Sequence, residues 1–302
     1  MPPADSTPPE FDAPILVFGG VYSNFEAFEA LIAEAGRLGI PPARMIHTGD
    51  VIAYGADPEA CARSLRDLGC LAISGNVEQQ LAAGAADCGC GFEAGTTCDA
   101  LSAAWYAHAD PLIGADLRRW MAGLPDRLTL EMAGLTILVV HGTPSSVNRF
   151  IYLGSPDAAV AEELAMTDAD IVLCGHSGFP MVRSVGGQHW INTGAIGFPA
   201  NDGTARGWFA VLEPADDGLA VEIRPLAYDH ALAAAKMRRA GLPKPYAAAL
   251  EGARAPNHDT LPEADRARAG TPLQFERTKI SARTAPGVGR TYPIAAQVRS
   301  RR

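Results

Sequence analysis

No apolar stretch of the chain approaches the roughly 20 residues that a membrane-spanning helix needs, which argues against a membrane protein of helical type. The opening stretch, MPPADSTPPEFDAP, lacks both a basic segment and an apolar core. It does not read as a secretion signal, so a disordered lead over residues 1–13 and a cytoplasmic location are the expectation. Positive charge is in short supply: 25 Lys and Arg face 34 Asp and Glu, a net charge of −9. That balance argues against broad nucleic-acid binding by the body of the molecule. No internal repeat is visible. Cysteine is present, at 61, 70, 88, 90, 98 and 174, but a disulfide framework is not expected in a reducing compartment. Cys61, Cys70 and Cys174 fall inside helix or strand patterns and are expected to be buried small hydrophobes.

What is present is the raw material of a large α/β domain. The chain has 302 residues, 48% of them hydrophobic. PILVFGG reads as a buried strand, and NFEAFEALIAEAGRLG as a helix with Phe25, Phe28, Leu31, Ile32 and Ala35 on one face and Asn24 as N-cap. ARMIHTGD and CLAISGN are further strands, with a helix between them that carries Pro58 in its first turn. Helices are expected around CDALSAAWYAHA and GADLRRWMAGLP. DRLTLEMAG and LTILVVHG then pair as strands, DAAVAEELAM is a helix and ADIVLCGHS a strand. MVRSVGGQHWINTG is a hairpin turning at Gly186-Gly187, and GWFAVLEP with LAVEIRPL is another. Two helices close the pattern near residue 250. The order predicts one mixed sheet, or two sheets packed between helices. From 255 to 302 the periodicity fades and the chain turns basic, so a mostly disordered tail is expected, able to meet a protein partner.

Four strands share one layout, an apolar run ending in a polar residue inside a glycine-containing turn. They are MIHTGD at Asp50, LAISGN at Asn76, TILVVHG at His141 and IVLCGH at His176. The carboxyl ends of strands in such sheets lie along one edge, where ligands bind. A carboxylate, an amide oxygen and two imidazoles suit Mn, Fe or Zn. Each residue alone is ordinary, but four in the same structural position point to a divalent metal site.

The order of these motifs resembles the calcineurin-like metallophosphoesterases, over roughly residues 14 to 250, with a tail similar to that of a bacterial branch of small phosphoesterases. The family pattern is Asp-x-His after the first strand, then Gly-Asp, Gly-Asn-His-Asp/Glu, a later His and Gly-His-x-His. TGDVIAYGADP, SGNVEQ, VVHGTP and CGHSGFP match it here, and INTGAIGFP resembles the stretch that follows. The resemblance implies a four-layer αββα sandwich with mixed sheets. It also implies two metals bridged by Asp50, one of them completed by Asn76, His141 and His176. The private ligands of the other metal fall on Gly20, Tyr22 and Gly178, none of which retains the family residue. The histidine that serves as general acid is replaced by Val77, and Glu78 keeps the acidic position beside it. The catalytic residues implied are therefore Asp50, Asn76 and Glu78, with one ion rather than two.

Three functions remain open. The first is a metal-dependent phosphoesterase with an altered, mononuclear site, cleaving a phosphomonoester, phosphodiester or nucleotide. The second is a non-catalytic binding or regulatory member of the fold. The third is a repurposed metalloenzyme in which Cys88, Cys90 and Cys98, clustered in DCGCGFEAGTTC, supply a sulfur-containing metal or redox centre. Tyr22 either ligates a metal as a phenolate or fills the space of the missing one. Tyr54 is expected to pack beside the site, and Arg149 is a candidate for neutralising substrate phosphate.

Overall fold

The computed structural model describes residues 7–256 and 258–282. Strands β1 (Glu10–Phe11) and β2 (Ile15–Phe18) lead into helix α1 (Phe25–Arg37), β3 (Met45–His47), α2 (Pro58–Leu68) and β4 (Leu71–Ala72). Three helices follow, α3 (Asn76–Ala83), α4 (Thr97–Ala109) and α5 (Ala115–Ala122). The hairpin of β5 (Arg127–Met132) and β6 (Leu135–Val140) precedes α6 (Asp157–Leu164), β7 (Ile171–Cys174) and the hairpin of β8 (Met181–Val185) and β9 (Gln188–Asn192). The long hairpin of β10 (Gly207–Ala215) and β11 (Gly218–Leu226) leads to α7 (His230–Arg239), α8 (Lys244–Gly252), α9 (Glu263–Ala267) and β12 (Thr278–Ser281).

The strands form two six-stranded mixed sheets, ordered β1-β5-β6-β7-β9-β8 and β12-β11-β10-β2-β3-β4. Period-two alternation sorts their side chains into layers. Ile15 and Val17 of β2 face the first sheet, where they join Ile137, Val139, Ile171 and Leu173. Leu16 and Phe18 face the opposite way, against Phe28 and Leu31 of α1. On the far sheet Leu138, Val140 and Val172 turn outward onto Val160 and Leu164 of α6. The result is a helix–sheet–sheet–helix sandwich with the sheet-to-sheet core in the middle, as the family resemblance implies.

Local signals explain the elements. Asn24 accepts a hydrogen bond from the Ala27 amide at 3.1 Å and so caps α1. Gly69, at φ 68°, ends α2 in the left-handed conformation. The β8–β9 hairpin turns at Gly186 and Gly187, φ 61° and 81°.

In the first sheet β6, β7 and β9 run parallel, and in the second β2, β3 and β4 do. Each trio therefore delivers its carboxyl ends to one edge. The two edges meet, because His141 after β6 reaches the Thr48 carbonyl after β3 at 2.7 Å.

Three elements depart from expectation. Residues 10 and 11, placed in a disordered lead by composition, form β1 beside β5, and the Glu131 amide donates to the Pro9 carbonyl at 2.9 Å. A free sheet edge gives even two residues a hydrogen-bonded place. Likewise, residues up to 282 of the supposed tail are not featureless, since they carry α9 and β12. Ile280 is buried opposite Leu219, and Lys279 pairs with Asp217 at 2.8 Å. Scattered apolar residues, Ile280 with Leu273 and Phe275 packed on the inter-sheet core, and a vacant edge suffice to order this stretch. The rest of the proposed tail, residues 283–302, lies outside the described residues. Finally, α3 begins at Asn76 itself, where the sequence suggested only a turn. Among the described residues, no helix is long and apolar enough to cross a membrane.

Candidate metal centre

Asp50, Asn76, His141 and His176, expected as ligands, come together at the joined strand edges. One ligand atom from each of Asp50, His141 and His176 falls within 4.8 Å of the others, and all three residues are buried. His141 Nε2 lies 3.2 Å from Asp50 Oδ2, 3.1 Å from Asn76 Oδ1 and 3.0 Å from His176 Nδ1. His141 Nδ1 is 2.7 Å from the Thr48 carbonyl, a partner that only accepts. The proton therefore sits on Nδ1, and Nε2 presents its lone pair to the cluster, as a metal-bound imidazole requires. The Asn76 amide nitrogen donates to the Cys88 carbonyl at 2.8 Å, which turns its oxygen toward the histidines.

The backbone is shaped to make this room. Asp50 adopts φ 62°, a left-handed conformation that aspartate tolerates. Gly75 packs so tightly that a Cβ there would run into Asp50 Oδ1. Glu78 holds the turn in place. Its carboxylate accepts from the amides of Asp50 (2.8 Å), Val51 (2.8 Å) and Gly75 (2.7 Å). No local motif announces this latch, and it changes the role expected of Glu78. A fully buried carboxylate engaged by three backbone donors positions Asp50 and is not presented to a leaving group.

The electrostatics favour ligand-competent forms of Asp50 and His176. Burial alone would raise the Asp50 carboxyl, but His141 beside it outweighs that and leaves it below the ordinary carboxylate range. Burial, reinforced by His141, pushes His176 down to about 3, so it stays neutral. His141 moves the other way, since Asp50 overcomes the effect of burial and raises it. Burial and the nearby Asp50 charge push Glu78 up to about 7. An ionised carboxylate, an amide oxygen, the neutral His176 and His141, which would engage a cation through Nε2 on displacing any proton there, form a donor set that a divalent cation fits.

The other half of the site is filled by protein. Tyr22 is buried, and its ring occupies the space over Gly20, where a Cβ would collide with it. Its hydroxyl points toward Gly178, where a Cβ would lie 3.3 Å away. Tyr22 and Ser23 both carry positive φ, 53° and 54°, an arrangement costing on the order of 1–3 kcal/mol per residue. Tyr54 packs edge-on to Tyr22 with centroids 4.9 Å apart. Burial raises the Tyr22 phenol well above its ordinary value, so it is a neutral hydroxyl in the metal-free protein.

The remaining candidates are elsewhere engaged. Cys88 and Cys90 are joined by a disulfide, so neither offers a thiolate to a metal. A disulfide framework was not expected, and this one bridge joins residues only two apart. Cys98 is buried and free of disulfide bonding. Arg149 is committed to Glu163 and, at 3.0 Å, to Glu162. Glu163 is fully buried and accepts from Ser145 as well, so the arginine neutralises a protein carboxylate where substrate phosphate was expected. His47 lies buried against Phe18, and burial pushes it down to about 3.

Known proteins share this architecture. Residues 18–217 match the model of the calcineurin-like phosphoesterase superfamily domain. An uncharacterized protein of Methanocaldococcus jannaschii is 24% identical over 245 residues, 76% of this chain and 94% of its own length. The crystal structure of a metallophosphoesterase from Sphaerobacter thermophilus covers 80% of this chain and all of its own, at 24% identity and a TM-score of 0.62. A hypothetical protein from Pyrococcus horikoshii OT3 covers 80% of this chain and 99% of its own, at 18% identity and a TM-score of 0.68. With the family model matched across most of the αββα sandwich and the strand-edge ligands in place, the chain belongs to the calcineurin-like phosphoesterase superfamily.

Proposed function

We propose that the protein hydrolyses a phosphoester with a single divalent cation held by Asp50, Asn76, His141 and His176. The observation carrying this reading is the asymmetry of the site, with four converging donors on one side and the Tyr22 ring on the other. When bound, such a cation acts as a Lewis acid toward a phosphoryl oxygen and lowers the pKa of water. Four protein donors complete a tetrahedral Zn sphere, whereas Mn or Fe retains open positions, so Mn or Fe is the expected activator.

The chain's own groups divide the remaining work. Glu78 fixes the Asp50 turn through three amides. The Thr48 carbonyl fixes the tautomer of His141. Tyr22 offers a neutral hydroxyl on the vacated side, suited to donate a hydrogen bond to a phosphoryl oxygen. Val77 and the engaged Glu78 leave no side-chain acid at the family's proton-donor position, which is the observation favouring a binding or regulatory member.

Turnover separates the two readings. p-Nitrophenyl phosphate and bis(p-nitrophenyl) phosphate are offered with Mn, Fe(II) or Zn in turn. Hydrolysis that follows Mn or Fe and disappears in His141→Ala supports the enzyme. No turnover with any of the three, in protein shown to hold the ion, leaves the binding reading standing.

A further inference from the structure

Beside the metal ligands lies a cavity of about 110 Å³. Its walls are aromatic, formed chiefly by Tyr22, Tyr54, Phe150, Tyr152, Phe198 and Tyr246. His176 and Gly178 line it too, so it is continuous with the metal centre and with the half that Tyr22 fills. Tyr54, Phe150 and Phe198 are only half-buried, which gives the cavity access to solvent. Among the described residues, no Lys, Arg, Asp or Glu lines it.

The rings stand at several angles to one another. Tyr54 meets Tyr22 at 64°, Phe198 at 53° and Tyr246 at 37°, and Phe198 meets Tyr246 at 82°. A second wall is a stacked row, with Phe150 parallel to Tyr152 at 5.6 Å and lying over His176 at 4.3 Å. Thr260 closes the row by bonding the Tyr152 hydroxyl at 2.9 Å.

We infer that this box receives a quaternary ammonium group carried on the alcohol portion of the phosphoester. The phosphoester half of this statement rests on the function proposed above; the ammonium half does not. Aromatic faces attract cations through the ring quadrupole, and quaternary ammonium groups are recognised by such cages. A trimethylammonium head has no N–H to satisfy, so it needs none of the carboxylates the cavity lacks. A primary ammonium would lose its hydrogen bonds on entry, and an anionic group would find no cationic side chain. A nucleobase brings a polar edge that these walls leave largely unpaired.

The test uses the full chain and three small probes. Choline, its uncharged isostere 3,3-dimethyl-1-butanol and benzyl alcohol are titrated calorimetrically, with and without Mn. Choline is expected to bind at least ~5-fold more tightly than either neutral probe. Phe198→Leu and Tyr246→Leu should each weaken choline by ~5-fold or more while changing the isostere by less than ~2-fold. Phe198→Tyr and Tyr246→Phe, which keep the rings, should restore choline binding and guard against misfolding of the leucine variants. Equal affinity for choline and its isostere would overturn the inference, as would tighter binding of benzyl alcohol or no choline binding at all. Hydrolysis of p-nitrophenyl phosphate reads the catalytic proposal separately, so failure of one is not failure of the other.

Discussion

Two strand ends of one sheet, on either side of β3, have gone opposite ways. After β4, Gly75 and Asn76 hold an amide oxygen 3.1 Å from His141, and a buried glutamate latch shapes the turn around them. After β2, Gly19 and Gly20 lead into Tyr22, whose ring covers the very glycine that lost its carboxylate. The strained turn is the one after β2, at Tyr22 and Ser23, so strain alone does not mark a metal site. What separates them is whether the space released by glycine admits donor atoms or a side chain from the same loop. The replacements at Gly20, Tyr22 and Gly178 act as one packing unit: two residues without side chains and one with a large ring between them. The same unit forms a boundary of the aromatic cavity.

Removing a ligand from the intact half should have the largest effect. His176→Ala, or His141→Ala, is expected to lower metal affinity by more than the ~10–100-fold that changes behind the ligands typically cost. Metal analysis after dialysis reads this directly. Unchanged metal content would show that the converging side chains are only a packed polar cluster.

Next in size is Glu78. Glu78→Ala leaves three buried amides without an acceptor and should destabilise the fold by about 3 kcal/mol or more, seen as an earlier denaturation midpoint. Metal affinity should fall with it. Full stability combined with lost turnover would make Glu78 a catalytic acid after all.

The vacated half can be sharpened by refilling it. Gly20→Asp alone is expected to destabilise by ~1–3 kcal/mol through collision with the Tyr22 ring. Gly20→Asp, Tyr22→His and Gly178→His together should instead recover a second ion per chain. The histidine at 178 inherits φ 69° at a cost of ~1–2 kcal/mol. If the triple variant still binds one ion, the space has closed by more than these three side chains.

The smallest effect is expected at the disulfide. Replacing Cys88 and Cys90 together by serine should cost only about 1.5 kcal/mol, because so short a loop restricts the unfolded chain little. Metal content should not change. A loss of metal would revive a sulfur ligand near Asn76.

The layers and the four donors were legible because each is written locally. Period-two runs ending in Gly-Asp, Gly-Asn, Val-His and Gly-His need only the parallel-sheet rule to share an edge. The vacancy was legible too, as Gly20, Tyr22 and Gly178 break an ordered motif. What could not be read depends on contacts between distant segments. Glu78 looks like a motif remnant until its three amide partners are in place. Arg149 looks available for phosphate until α6 brings Glu162 and Glu163 to it. The aromatic box draws on residues from Tyr22 to Tyr246, each unremarkable in its own segment. β1 and β12 are too short to announce themselves, and only a vacant sheet edge makes strands of them.

The number of Mn or Fe ions retained per purified chain bears most directly on the asymmetry of the site. About one ion per chain is expected, lost in His176→Ala and unaffected by Tyr22→Phe. About two ions in the unmodified chain, or one that survives His176→Ala, would contradict a single centre on Asp50, Asn76, His141 and His176.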